Sequence, residues 1–124
     1  MKLQMTLARA AAAALFALPL LAAHAQDVNA GKAAFAQCAA CHSTDGTNGA
    51  GPSLQGIVGT KAGAFPGFRF SRAMKNSTLV WDAKNLDAYL ANPQGVIPGN
   101  TMPYSGIADA KTRADLVAYL QTLK

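Results

Sequence analysis

Apolar residues recur along this chain at helical spacing, and no stretch alternates as a half-buried strand would. Gly31, Phe35 and Cys38 stand at i, i+4 and i+7 behind Asp27, whose carboxylate can cap a first helix. Gly31 is a poor helix former, and its place on that face predicts a close crossing by another backbone. Residues 70–76 read as a short helical segment in which Met74 packs. Asp82, just after Trp81, caps a helix that puts Leu86, Tyr89 and Leu90 on one face, and Asn92-Pro93 stops it. A last helix starts near Asp109 and aligns Leu116, Leu120 and Leu123, with Val117 beside them. Its Arg113 and Asp115 read as a solvated face. Residues 46–67 hold Pro52, Pro66 and seven glycines, an irregular stretch long enough to be wrapped around something functional. The expected fold is all-α, a single domain of helices and Gly/Pro-rich loops.

The first 25 residues follow another pattern. Lys2 and Arg9 precede an unbroken small and apolar run from Ala10 to Ala23, and Ala23-His24-Ala25 ends it. A basic head, a short apolar middle and an A-x-A tail predict a secretory signal cleaved after Ala25. The run is shorter than the roughly 20 apolar residues a membrane span requires, so no stable membrane insertion is expected after cleavage. This division (1–25 signal, 26–124 domain) changes how the composition reads. The whole chain is 51% hydrophobic and 14% charged, but the leader concentrates the apolar residues. Residues 26–124 number 99, enough for one domain and too few for two. They keep nine of the eleven basic residues and all six acids, a net charge of +3. No two Lys or Arg are adjacent, and nucleic acid is not an expected partner. A core this small often needs a staple.

Cys38-Ala39-Ala40-Cys41-His42 contains the only cysteines, in C-x-x-C-H spacing. A thioredoxin-like dithiol would follow a strand of a βαβ unit, whereas the flanks here are helical. Structural zinc takes four ligands, and after signal cleavage His42 is the only histidine, so Cys and His supply three. A disulfide across so tight a loop would restrain little chain. Covalent attachment of heme c, with both thiols on the vinyl groups and His42 on the iron, suits the spacing best. One histidine excludes bis-histidine ligation within the mature chain. The sixth ligand is then Met, another side chain or nothing, and the mature methionines are Met74 and Met102. Met102 lies in residues 97–104, a loop punctuated by Pro98, Gly99 and Pro103 that can hold an extended backbone against a flat cofactor. It is the favoured metal ligand beside His42, as Met/His is a recognised heme pair.

Assembled in order, these residues resemble a class I cytochrome c, similar to the mitochondrial cytochrome c and bacterial cytochrome c2 group. The resemblance runs from Gly31, Phe35 and the C-x-x-C-H motif through Gly51-Pro52-Ser53-Leu54-x-Gly56 and Pro66-Gly67-Phe68. It continues in Trp81, Tyr89-Leu90-x-Asn92-Pro93, Ile97-Pro98-Gly99, Met102 and the segment 113–120. It implies that the Pro52 carbonyl accepts the second imidazole N–H of His42. It further implies that Tyr89 hydrogen-bonds near the Met102 sulfur and that the Trp81 indole N–H reaches a heme propionate. Read without the family, Tyr89 serves plain packing as well as ligand tuning. Gly31 and Phe35 are expected to pack the first helix on the last through Leu116 and Tyr119. The chain departs from the family where Phe70 replaces a Tyr, Thr60 an Arg and Met74 an Asn. Either the propionates are more exposed here, or Arg69, Arg72 or Ser71 compensates.

The resemblance implies a soluble, exported one-electron carrier, a monomer of the bacterial periplasm, not an enzyme, with redox proteins as donor and acceptor. The alternative is a heme subunit of an exported dehydrogenase or oxidase, or a ligand- or peroxide-reactive heme protein whose Met is displaceable. Mitochondrial relatives carry a lysine ring around the heme edge, whereas the matching positions here include Gln94, Gly95, Thr101, Ala108 and Asp109. Steering by opposite charge is therefore weak, with contact through groups such as Tyr104 and Val96. Electron-transfer rates measured by stopped flow should fall only shallowly with ionic strength; a steep loss on adding salt would refute the neutral docking edge.

Overall fold

The computed structural model describes residues 25–124; apart from Ala25, the expected signal lies outside the described residues. Five α-helices follow in order: α1 (Val28–Ala34), α2 (Arg72–Asn76), α3 (Ala83–Ala91), α4 (Pro93–Val96) and α5 (Ala110–Leu120). Long loops join them, and the sole β feature among the described residues is an isolated bridge between Lys61 and Val80. The all-α expectation holds.

Each helix starts where a short polar side chain can accept the first free amides. Asp27 accepts from the N–H of Asn29 at 2.9 Å and of Ala30 at 3.1 Å. Asp82 caps α3 through Asn85 N–H at 2.7 Å, and Asp109 caps α5 through Thr112 N–H at 2.8 Å. Ser71 caps α2. Asn92 ends α3 as expected but also caps α4, in which Pro93 supplies the first residue of one more helical turn. That turn was not anticipated, since Asn-Pro was read only as a stop.

The frame of the domain is the packing of α1 on α5. A Cβ on Gly31 would collide with the Asp115 carbonyl and lie 2.9 Å from the Tyr119 Cβ, so only glycine admits the crossing. Phe35 packs its ring on Tyr119 with centroids 5.4 Å apart. Leu86, Tyr89 and Leu90 of α3 join Leu116, Val117 and Leu120 of α5 in the same buried cluster. At the end of α1 the chain tightens into a 3-10 turn, Phe35–Gln37, that delivers Cys38 to the edge of this core.

Arg113 and Asp115 correct the sequence reading, because neither belongs to a solvated face. Asp115 is only 5% exposed and accepts from the Asp27 amide at 2.9 Å and Lys111 Nζ at 2.8 Å. Arg113 donates to Asp87 at 2.9 Å and to the carbonyls of Ile107 and Ala108. Helical periodicity sees only the helix itself; the Asp27 amide that claims Asp115 lies 88 residues away in sequence.

The Lys111 ammonium, and after it the Asp27 amide, hold the Asp115 carboxyl below its ordinary range. Asp115 thus binds fewer protons folded than unfolded. Its contribution is present above the unfolded carboxylate value and is lost as pH falls through the folded one. Asp115→Asn should lower the melting temperature at neutral pH and reduce its fall on acidification; melts of both proteins from neutrality to acid, showing parallel curves, would contradict this.

Candidate functional site

Beneath the frame lies one apolar cavity of about 480 Å³, the size of a small-molecule or cofactor site. All seven residues singled out in the sequence reach its wall: Cys38, Cys41, His42, Pro52, Trp81, Tyr89 and Met102. The C-x-x-C-H segment coils back on itself, with the amides of Cys41 and His42 both donating to the Cys38 carbonyl at 3.1 and 2.9 Å. That coil brings the two thiols and the imidazole to one side of the cavity opening. Cys38 and Cys41 form no disulfide with each other; Cys38 is half-buried and Cys41 exposed.

His42 Nδ1 lies 2.7 Å from the Pro52 carbonyl oxygen. A carbonyl only accepts, so Nδ1 carries the proton and Nε2 keeps its lone pair for a metal. The loop approaches closely enough for this because residue 51 is glycine: a Cβ there would sit 2.7 Å from His42 Cε1. The Gly51 amide in turn donates to the Cys41 carbonyl at 2.8 Å.

Met102 is half-buried in the wall, and its loop is held by neutral side chains. Asn100, 6% exposed, donates from Nδ2 to the carbonyls of Pro93 at 3.0 Å and Ile97 at 2.8 Å. Its Oδ1 accepts the Met102 amide at 3.0 Å. Gln94 closes a second ring, donating to the Asn100 carbonyl at 2.8 Å and accepting the Gly99 amide at 3.1 Å. Met74, on α2, also lines the cavity. Trp81 and Tyr89 meet edge to face at 4.9 Å, both buried. Burial pushes the Tyr89 phenol up to about 12, so it stays a donor across the physiological range.

Of the three side chains expected to compensate for Phe70, only Ser71 lines the cavity, while Arg69 and Arg72 are exposed on other surface. Lys61 does line it, a cation beside Thr60 that the sequence reading passed over. Thr60 instead turns its hydroxyl to the Ile57 carbonyl at 2.7 Å. Asn100, Gln94 and Ser53 were also missed. Ser53 is fully buried, and its hydroxyl accepts the amides of Gly46 and Gln55 inside the irregular loop. A short polar residue in a Gly/Pro-rich segment was the available signal, although its partners were not readable.

The site suits a flat apolar cofactor. Two cysteine sulfurs, an oriented imidazole and a thioether line one apolar cavity, and no cluster of three His, Cys, Asp or Glu side chains fit to hold a metal occurs among the described residues. The family model described as Cytochrome c matches residues 28–124. The chain belongs to the cytochrome c family. Cytochrome c2 iso-2 of Magnetospirillum fulvum is 50% identical to it over 91 residues, 73% of this chain and 95% of the relative. Cytochrome c2 of Rhodomicrobium vannielii is 47% identical over 94 residues, covering 74% and 75% of the two chains. Among solved structures, cytochrome cH from Methylobacterium extorquens superposes with a TM-score of 0.75 at 47% identity, covering 77% of this chain and 98% of that one. As a cytochrome c, the chain is an electron-transfer protein and not an enzyme. It carries one covalently bound heme c with its iron and works with redox partner proteins.

Asn100→Ala removes three hydrogen bonds and leaves the Met102 amide without a partner, while the Pro93 and Ile97 carbonyls keep the backbone amides of Ile97 and residue 100; this should cost about 1–3 kcal/mol. Denaturant unfolding of the heme-loaded protein reads this directly. A loss below about 0.5 kcal/mol would show that water or a local shift satisfies that amide.

Proposed function

We propose that residues 26–124 form a mobile one-electron carrier of the bacterial periplasm, monomeric and released from a signal of residues 1–25. In this reading Cys38 and Cys41 hold heme c through thioether links, and His42 and Met102 ligate its iron. When bound, the heme supplies a one-electron couple that the thioether biases toward the reduced state. The chain's own residues bind and orient it and exclude water. The Pro52 carbonyl fixes the His42 ring and raises its basicity, while Tyr89 donates toward the Met102 sulfur and Trp81 toward a propionate. Lys61 and Ser71 are polar residues of the cavity wall, although the Lys61 ammonium donates to the carbonyls of Ala62 and Lys75 and the Ser71 hydroxyl caps α2.

The observation that carries the ligand reading is the tethering of Met102. Its amide is pinned by Asn100 Oδ1, and Gln94 braces the same loop through the Asn100 carbonyl and the Gly99 amide. Met74 instead belongs to a short helix that its own cap and backbone define. For export, the leader's pattern is the support. Among the described residues, the first hydrogen bond from the N-terminal side to α5 is made by Asp27, two residues past the proposed cut, so cleavage leaves that tie in place. No helix among the described residues is long and apolar enough to cross a membrane.

Absorption spectra of the heme-loaded protein test the assignment. The oxidised protein should show the weak far-red sulfur-to-iron band, and the reduced protein should not shift under carbon monoxide. Met102→Ala should abolish the band and admit carbon monoxide, whereas Met74→Leu should keep the wild-type spectrum. Loss of the band in Met74→Leu alone would transfer the ligand role to Met74. Rapid carbon monoxide binding by the wild type would mean an open iron and a ligand-reactive protein.

A further inference from the structure

The segments that flank the cavity opening are joined by one hydrogen bond. The Tyr104 hydroxyl donates to Gln37 Oε1 at 2.6 Å, linking residues 67 apart in sequence. Gln37 immediately precedes Cys38, and Tyr104 lies two residues beyond Met102. Both side chains line the cavity. Among the described residues, no other hydrogen bond connects residues 35–43 with residues 97–107.

The position of this bond matters because of what holds the loop elsewhere. Before Met102 the backbone is pinned by the Asn100 and Gln94 rings. After it, the next backbone tie to another element is the Ile107 amide on the Leu90 carbonyl at 2.8 Å. Between Asn100 and Ile107 the backbone bonds are local, such as the Tyr104 amide on the Met102 carbonyl at 2.9 Å. Residues 101–106 thus hinge between two fixed points, and their one tie across the cavity opening is the Tyr104 side chain.

We infer that the Gln37–Tyr104 hydrogen bond is a clasp that positions Met102, closing residues 101–106 over the cavity opening and opposing small ligands that compete for the site. Tyr104 and Gln37 are positioning residues; neither is placed to ligate. The inference rests on the reading of Met102 as ligand. The bond is at the exposed rim and exchanges with water, so its share is modest, about two- to five-fold in ligand competition.

The probe is imidazole, titrated into the oxidised heme-loaded protein and followed through the far-red band. Tyr104→Phe and Gln37→Leu should each raise imidazole affinity by about two- to five-fold, and the double variant should match the singles, since either removes the same bond. Without imidazole both should retain the band. Asp115→Asn, which removes the Lys111 ion pair within α5 and can still accept the Asp27 amide, should leave imidazole affinity at the wild-type value. Unchanged affinity in Tyr104→Phe, additive effects in the double variant, or an equal rise in Asp115→Asn would each overturn the clasp. A wild-type protein without the band would overturn the Met102 reading and the clasp with it; a wild-type band with unresponsive variants would overturn the clasp alone.

Discussion

The rest of the structure depends on the crossing of the first and last helices at a point where one of them has no side chain. At Gly31 the backbone of α1 lies against the Asp115 carbonyl, closer than any Cβ would allow. This fixes the direction in which α1 ends. Because the 3-10 turn and the C-x-x-C-H coil follow without a break, the same contact fixes where the thiols and imidazole emerge. A domain of about a hundred residues cannot build a thick core, and much of what it buries faces the cavity. Helix packing sets the frame, and the cofactor's place is the space left inside it.

Much of this was legible in the sequence because it is local chemistry. Caps at Asp27 and Asp82, the start of α5 at Asp109 and the inward face of α3 need only a neighbour three or four residues away and appear as read, while α5 ends at Leu120 and leaves Leu123, read on its face, beyond the helix. Gly31 was legible as an anomaly, since a glycine on an otherwise good helix face requires a reason. The failures share the opposite property. Asp115 looked solvated because its backbone partner is far away in sequence, and α4 was invisible because Asn92 ends one helix and starts the next with the same side chain. Lys61 stood next to the residue where a cation was missed and was not considered. Which of two adjacent residues turns inward in an irregular loop is decided by tertiary packing, not by pattern.

Where helices give out, single polar side chains take over the role of secondary structure. Ser53 and Asn48 hold the segment between the motif and Phe68, with Asn48 reaching both the Ser53 amide and the Pro66 carbonyl. Asn100 and Gln94 do the same around Met102. They satisfy backbone groups such as the Ser53 and Met102 amides, which have no ladder or helix to join, and no buried side-chain N or O among the described residues lacks a partner. Their identity matters more than their conformation, since an alanine in the same backbone leaves the Ser53 or the Met102 amide unpaired.

The distribution of charge in these contacts divides the molecule's vulnerabilities. Both ion pairs among the described residues, Lys111–Asp115 and Arg113–Asp87, involve α5. The bonds that orient His42 and tether Met102 are all between neutral groups. Changes in acidity or salt therefore act on α5, within it and at its tie to α3, before they touch the loops around His42 and Met102. Environmental wear falls first on the scaffold's charges, and the bonds nearest the site hold none to titrate or screen.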